Sequence, residues 1–174
     1  MNDLPATFGY AIAFIAPGAV ALWGLTQFSP SLRNVLTTAS VQQTSVGAFL
    51  IAVLAALSLG VIISGVRWLV FDKVLLRSTF DAGETEFAAF KGDAAHTAYR
   101  DIVENHYRYY QFYSNMVIAA TIAYFCWITG STSSESAKYL GLLFVAVLDV
   151  VLYFSARDAI QKFFKKAKQI AGKQ

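Results

Sequence analysis

Four long stretches with almost no charge constrain this chain more than anything else in it. They cover residues 10–28, 46–71, 113–129 and 139–154, and the only charged residues inside them are Arg67 and Asp149. A helix rises 1.5 Å per residue, so about 20 apolar residues cross the roughly 30 Å hydrocarbon core of a bilayer. The first two stretches are about that long. Flanking aromatic residues extend the shorter two into the interface. The composition agrees: of 174 residues 56% are hydrophobic and 14% charged, against about a quarter charged in a soluble domain. So few charges cannot coat a water-exposed surface. An ordinary cytosolic enzyme, a disordered chain and a secreted disulfide scaffold are excluded, the last because Cys126 is the single cysteine.

Ala19-Val20-Ala21 has the look of a signal-peptide cleavage site. A signal peptide opens on basic residues, and the nine residues ahead of the first stretch hold Asp3 and no Lys or Arg. The stretch reads as a retained span. Four spans place the N-terminus, the loop between spans two and three, and the C-terminus on one side. Of the 14 Lys and Arg, all but Arg33 and Lys138 fall on that side, which makes it cytoplasmic. The expected architecture is an all-α integral membrane protein, one unit over residues 1–174. It has four transmembrane helices, both termini inside, a helical cytoplasmic insert over 72–112 and a basic amphipathic C-terminal helix over 157–174. The lopsided charge and the lack of a glycosylation sequon fit a bacterial inner membrane.

Within the insert, Asp81-Ala82-Gly83 and Lys91-Gly92-Asp93 read as turns. Asp93 reads as the N-cap of a helix that meets no Pro or Gly before Gly130. That helix would be roughly 50 Å long and stand clear of the membrane. His96, Tyr99, Val103, His106, Tyr110 and Tyr113 recur at alternating steps of three and four along it, a heptad seam. The seam has two candidate partners: the aromatic residues Phe80, Phe87 and Phe90 of the same chain, or a second copy. Tyr107, Tyr109, Tyr110, Phe112 and Tyr113 form an expected aromatic belt at the membrane surface. In the tail, Ile160, Phe163, Phe164 and Ala167 share one helical face, and Lys162, Lys165, Lys166 and Lys168 lie on or beside the other. A basic amphipathic helix beside a membrane lies in the interface and binds anionic lipid.

Asp149 and Arg67 are the expected functional charges, because an ionisable side chain in a span is costly. Both lie near the same edge of the membrane by helix rise. A buried ion pair between them is one reading, and an Asp facing a cation path is the other. Ala48, Ala52, Ala56, Gly60 and Ser64 repeat every four residues along the second span and form a face for close helix packing in lipid. Its partner is either the first span or another subunit. Pro17-Gly18 is a candidate hinge or packing kink.

No His lies inside a span, so haem held between helices is not expected. No metal-ligand set, phosphate loop or nucleophile motif is present, and no cofactor is expected. The run Arg100-Asp101-Ile102-Val103-Glu104-Asn105-His106 resembles the catalytic motif of HEPN-type ribonucleases. The resemblance implies RNA cleavage, with Arg100 stabilising phosphate and His106 acting as acid or base. It covers those seven residues only, and the bland reading is a surface Arg and a seam His. The chain is therefore expected to be a non-enzymatic, small homo-oligomeric membrane protein, channel-like and gated from its cytoplasmic helices. The competing expectation is a membrane-anchored scaffold or sensor that recruits a cytoplasmic protein or anionic lipid; nucleic acid is not an expected partner.

Overall fold

The computed structural model describes residue 9 and residues 11–34, 46–83 and 92–172. Among them every regular element is a helix, and four helices are long and apolar enough to cross a membrane. Helix α1 is Ala11–Phe28. Helix α2 joins an α-helical Val46–Arg67 to a π-helical Trp68–Leu75. A short α3 is Arg77–Gly83, α4 is Asp93–Gly130, and α5 is Glu135–Ala171.

The chain goes up, down, up, down. Gly18 of α1 faces Ala56 of α2 while Phe14 faces Gly60, so those two run antiparallel. Gly24 faces Ala123 and Gln27 faces Gly130, so α1 and α4 run parallel. Helix α5 returns antiparallel along α4, from the Tyr124 hydroxyl donating to Lys138 O at 3.0 Å to the Tyr107–Phe163 ring pair at 5.4 Å. The start of α1, the end of α2, all of α3, the start of α4 and the end of α5 thus gather at one end of the bundle.

The small-residue face of α2 is used inside the chain. A Cβ on Gly18 would fall 1.8 Å from Ala56 O, and one on Gly60 would fall 2.0 Å from Phe14 O. Backbone meets backbone here, which only glycine permits, as small residues do in lipid. Ala56 and Gly60 are buried, and Ala52 and Ser64 are partly covered; the side chain of Ala48 lies outside the described residues. The first span is the partner of Ala56 and Gly60. Pro17 and Gly18 are buried in the same contact. A π-helical turn, Ala11–Ile15, precedes Pro17. Proline cannot donate to the carbonyl four residues back, which is Ala13 O. Asn115 of α4 supplies the missing donor, Nδ2 to Ala13 O at 2.8 Å. Pro17-Gly18 therefore packs and is pinned from two sides.

Helices α4 and α5 have 38 and 37 residues, about 55 Å each by helix rise. Both outrun a bilayer core and continue beyond it as one hairpin. Gly92, at φ 79, turns the chain into α4, so the helix cap falls on Gly92 and Asp93 is already in the first turn. Asp81-Ala82-Gly83 is not a free turn but the end of α3.

The heptad seam closes on its own chain. Tyr99 and Tyr107 pack on Phe163 of α5, with ring centroids 6.0 and 5.4 Å apart, and Phe80 of α3 packs on both Tyr110 and Phe164. Ile102, Tyr110, Ile160, Phe163 and Ala167 form the buried centre of this aromatic core. His96 is exposed at the far end of the seam. Phe87 and Phe90 lie outside the described residues. Two expectations change as a result. The tail is not a separate helix: it is the continuation of α5, with its apolar face packed on α4. The aromatic belt is also smaller than expected, since Tyr107 and Tyr110 belong to the core, while Tyr109 points outward and is 49% exposed.

Truncating a buried Phe costs about 3–5 kcal/mol. Phe163→Ala is therefore expected to free the end of α5, so that limited proteolysis cuts beyond residue 157 while the spans stay intact. Unchanged protection of that segment would mean that the aromatic core does not hold the tail.

Candidate functional site

Two of the polar sites among the described residues hold the charged residues of the spans. The first sits where α2 leaves its α-helical course. Residues five apart on an α-helix lie about 140° apart around the axis, so Arg67 and Asp72 should face different ways. The π-helical turn Trp68–Leu75 changes that, because its hydrogen bonds span five residues; Leu76 N donates to Phe71 O at 2.7 Å. Asp72 is brought under Arg67, whose Nη1 donates to Oδ1 at 3.0 Å and Oδ2 at 3.4 Å. The Tyr110 hydroxyl of α4 donates to the same Oδ1. The guanidinium also lies over the Tyr110 ring, 5.2 Å from its centroid. Arg67 is 4% exposed, Asp72 8% and Tyr110 fully buried. This closed cluster ties α2 to α4 at the base of the aromatic core.

The second site holds Asp149. The sequence offers Arg67 as its partner, but Arg67 is turned onto Asp72. Thr121 of α4 donates its hydroxyl to Asp149 Oδ2 at 2.9 Å. The other carboxylate oxygen is enclosed and has no hydrogen-bond partner among the described residues. Counting helix rise, Asp149 lies about 15 Å along α5 from Tyr139 and about 8 Å short of Phe154, inside the fourth span. It borders a groove of about 540 Å³ between α2, α4 and α5. The walls are apolar, among them Val66 and Leu75 of α2, Ile118 and Ile122 of α4, and Val150 and Phe154 of α5. Val66, Leu75, Val150 and Phe154 are each about half exposed, so the groove opens sideways onto the outer surface of the bundle. Phe71 and Tyr153, with ring centroids 6.2 Å apart, close it toward the Arg67 cluster.

The remaining sequence candidates are spread out. Lys162, Lys165, Lys166 and Lys168 are exposed on the outer side of α5, and Lys162 reaches Asp158 at 2.6 Å. Arg100 is exposed on α4 and His106 is half-buried toward α5. Five residues separate them, and His106 lies within the π-helical turn Val103–Tyr107, so one chain does not present them as a joint pair on one open surface. No group of three or more metal-ligating side chains occurs among the described residues.

Sequence reasoning missed Asp72, Asn115 and Thr121. Pro17 signals a free carbonyl at Ala13, and therefore a donor to satisfy it. A buried Arg signals a carboxylate, and Asp72 is the acidic residue nearest to it in the chain. Thr121 carries no signal beyond being polar within a span.

The chain matches no protein-family model, no curated protein and no solved structure, so its functional reading rests on its own geometry.

Proposed function

We propose that the protein is a homo-oligomeric, channel-like permeability effector of a bacterial inner membrane, with both termini cytoplasmic and with its gate worked from the cytoplasmic end. The observation that carries this reading is Asp149. An ionisable group inside a span is costly unless it faces water or a partner; Asp149 lines a groove that a single chain leaves open, and its second oxygen is enclosed without a hydrogen-bond partner among the described residues. The described residues of one chain leave the groove open on its outer surface, so a conducting path would form between copies. The exposed faces of α2, such as Phe49, Leu54 and Ile62, and of α5, such as Leu143, Val147 and Val151, are the surfaces available for that assembly. A carboxylate repeated around such a path favours cations.

The gating half of the proposal rests on continuity. Thr121 and Asp149 sit on α4 and α5, and both helices run unbroken into the aromatic core. A shift of that core is transmitted to the groove without crossing a loop. The orientation rests on the positive-inside rule, because the basic residues gather at the core end.

Purified protein in liposomes tests this. Wild type is expected to conduct small cations, and Asp149→Asn, which keeps the Thr121 hydrogen bond, to lower cation preference several-fold with assembly unchanged. A strictly monomeric state by native mass spectrometry, or equal flux and preference in the two proteins, sinks the proposal.

One observation favours a second reading, in which the protein is a membrane-anchored scaffold. Four exposed lysines on α5 form a basic edge suited to anionic lipid or an acidic partner. Since Phe163 lies among them in the core, deletion of the tail would unfold it. Replacing the four lysines by glutamine separates charge from packing, and a lost cellular phenotype with liposome flux intact would favour the scaffold.

A further inference from the structure

We propose that the groove between α2, α4 and α5 is a binding site for a hydrophobic monovalent cation, with the Asp149 carboxylate as its counter-ion. The argument starts from what the groove lacks. Its walls are valine, isoleucine, leucine and aromatic rings, and its polar groups are confined to Thr121, Asp149 and Tyr153. A hydrated inorganic ion needs several oxygen ligands to replace its water, and one carboxylate beside one hydroxyl cannot supply them. A lipid chain would fill the volume but leave the enclosed carboxylate oxygen without a partner, which is costly in an apolar setting. A ligand with a single positive charge inside an apolar coat satisfies both features.

Size and access agree with that occupant. About 540 Å³ lies within the range of pockets that hold drug-sized molecules. The opening faces sideways between α2 and α5, so a cation that partitions into the hydrocarbon reaches it from the membrane. Phe71, Tyr153 and Phe154 line the groove together with Asp149, and aromatic rings attract cations. Thr121 holds one oxygen of Asp149, and the other is enclosed without a hydrogen-bond partner among the described residues, so a cation in the groove supplies the missing counter-charge. The site is built by one chain, so it goes beyond the conduction reading above and does not depend on it.

The probe is tetraphenylphosphonium, with triphenylphosphine oxide as a neutral competitor. Equilibrium dialysis is run on the full chain in nanodiscs of zwitterionic lipid, which avoids attraction to anionic headgroups. Wild type is expected to bind in a saturable manner, one cation per chain, and the neutral compound not to compete. Asp149→Asn is expected to weaken binding at least tenfold. Ile118→Trp fills the groove from α4, leaves the carboxylate in place and is expected to do the same; each variant is first checked for a monodisperse profile. If one variant does not fold, the other and the neutral competitor still decide. Absence of saturable binding, equal binding by a folded variant, or displacement by the neutral compound overturns the proposal. So does a Cys126→Ser, Val150→Cys variant that cross-links chain to chain in full and binds no cation, because a second copy then covers the groove. Flux without cation binding removes this proposal alone, and binding without flux removes the conduction reading alone.

Discussion

Gly60→Leu abolishes the folded bundle, whereas Gly65→Leu leaves it intact. That is the expected result of two identical substitutions five residues apart on α2. Helix propensity cancels between them, since both replace glycine by leucine in a helix interior. What differs is the space. A Cβ at Gly60 meets Phe14 O at 2.0 Å and Phe14 C at 2.7 Å, while a Cβ at Gly65 meets nothing within 4 Å. Overpacking costs about 1–3 kcal/mol when side chains can shift. At Gly60 the obstacle is the backbone of another helix, which cannot rotate away, so α1 must leave α2. The contact of Gly18 with Ala56 is then lost too, and α1 is left to pack on α4 alone. Fluorescence-detected gel filtration after a heating series measures the outcome. Equal thermal midpoints for the two variants would show that α1 does not seat on this face. A Gly60→Leu protein that stays folded but loses its oligomer would return the face to a subunit interface.

The four spans were legible because a long uncharged run has few other fates. The small-residue stripe was legible as a place of close approach, but not its partner. The partner's mark is a single Gly18 set against Ala56, and an isolated glycine in an apolar helix says little. The long α4 was legible from the absence of Pro and Gly between Asp93 and Gly130. The seam on α4 and the apolar face around Phe163 were each visible in the sequence, yet the seam read as open to Phe80, Phe87 and Phe90 or to a second copy, and the tail's face as open to lipid. They flank one short connector, residues 131–134, on two helices that must run antiparallel. Two apolar faces extending past the membrane on the two arms of such a hairpin meet each other first. The composition of the tail, basic and amphipathic, is the same whether its apolar side meets lipid or protein, so composition could not decide.

The candidate sites were less legible, for a geometric reason. Asp149 stood out by its cost, but its supposed partner was inferred from depth along an ideal α-helix. A π-helical turn shifts every later residue around the axis, and nothing in Trp-Leu-Val-Phe-Asp-Lys marks one. Arg67 and Asp72 are on different faces by α-helical counting and in contact by the actual path.

Asp72→Leu is expected to be among the most damaging single changes, and the double variant Arg67→Met, Asp72→Leu far milder. Breaking a buried pair by removing one partner costs about 3–5 kcal/mol, because the remaining charge stays buried without compensation. Replacing both partners by apolar residues of similar bulk is often close to neutral. Arg67 has nowhere else to turn among its neighbours, being 4% exposed and stacked on the Tyr110 ring at 5.2 Å. Tyr110→Phe keeps that ring and removes only the hydroxyl donated to Asp72. A hydrogen bond to a charged group contributes about 1.5–3 kcal/mol, so this variant should fall between wild type and Asp72→Leu. In detergent thermal midpoints the test is wild type highest, Asp72→Leu lowest, and the double variant and Tyr110→Phe between them, the double variant held below wild type by the Tyr110 hydroxyl it leaves unpaired. If the double variant is as unstable as Asp72→Leu, the charges do not act as a pair, and the π-helical turn itself holds α2 to α4. If it recovers stability but loses the proposed coupling of the aromatic core to cation flux, the pair is kept for a reason other than stability: it fixes the register between the aromatic core and the spans.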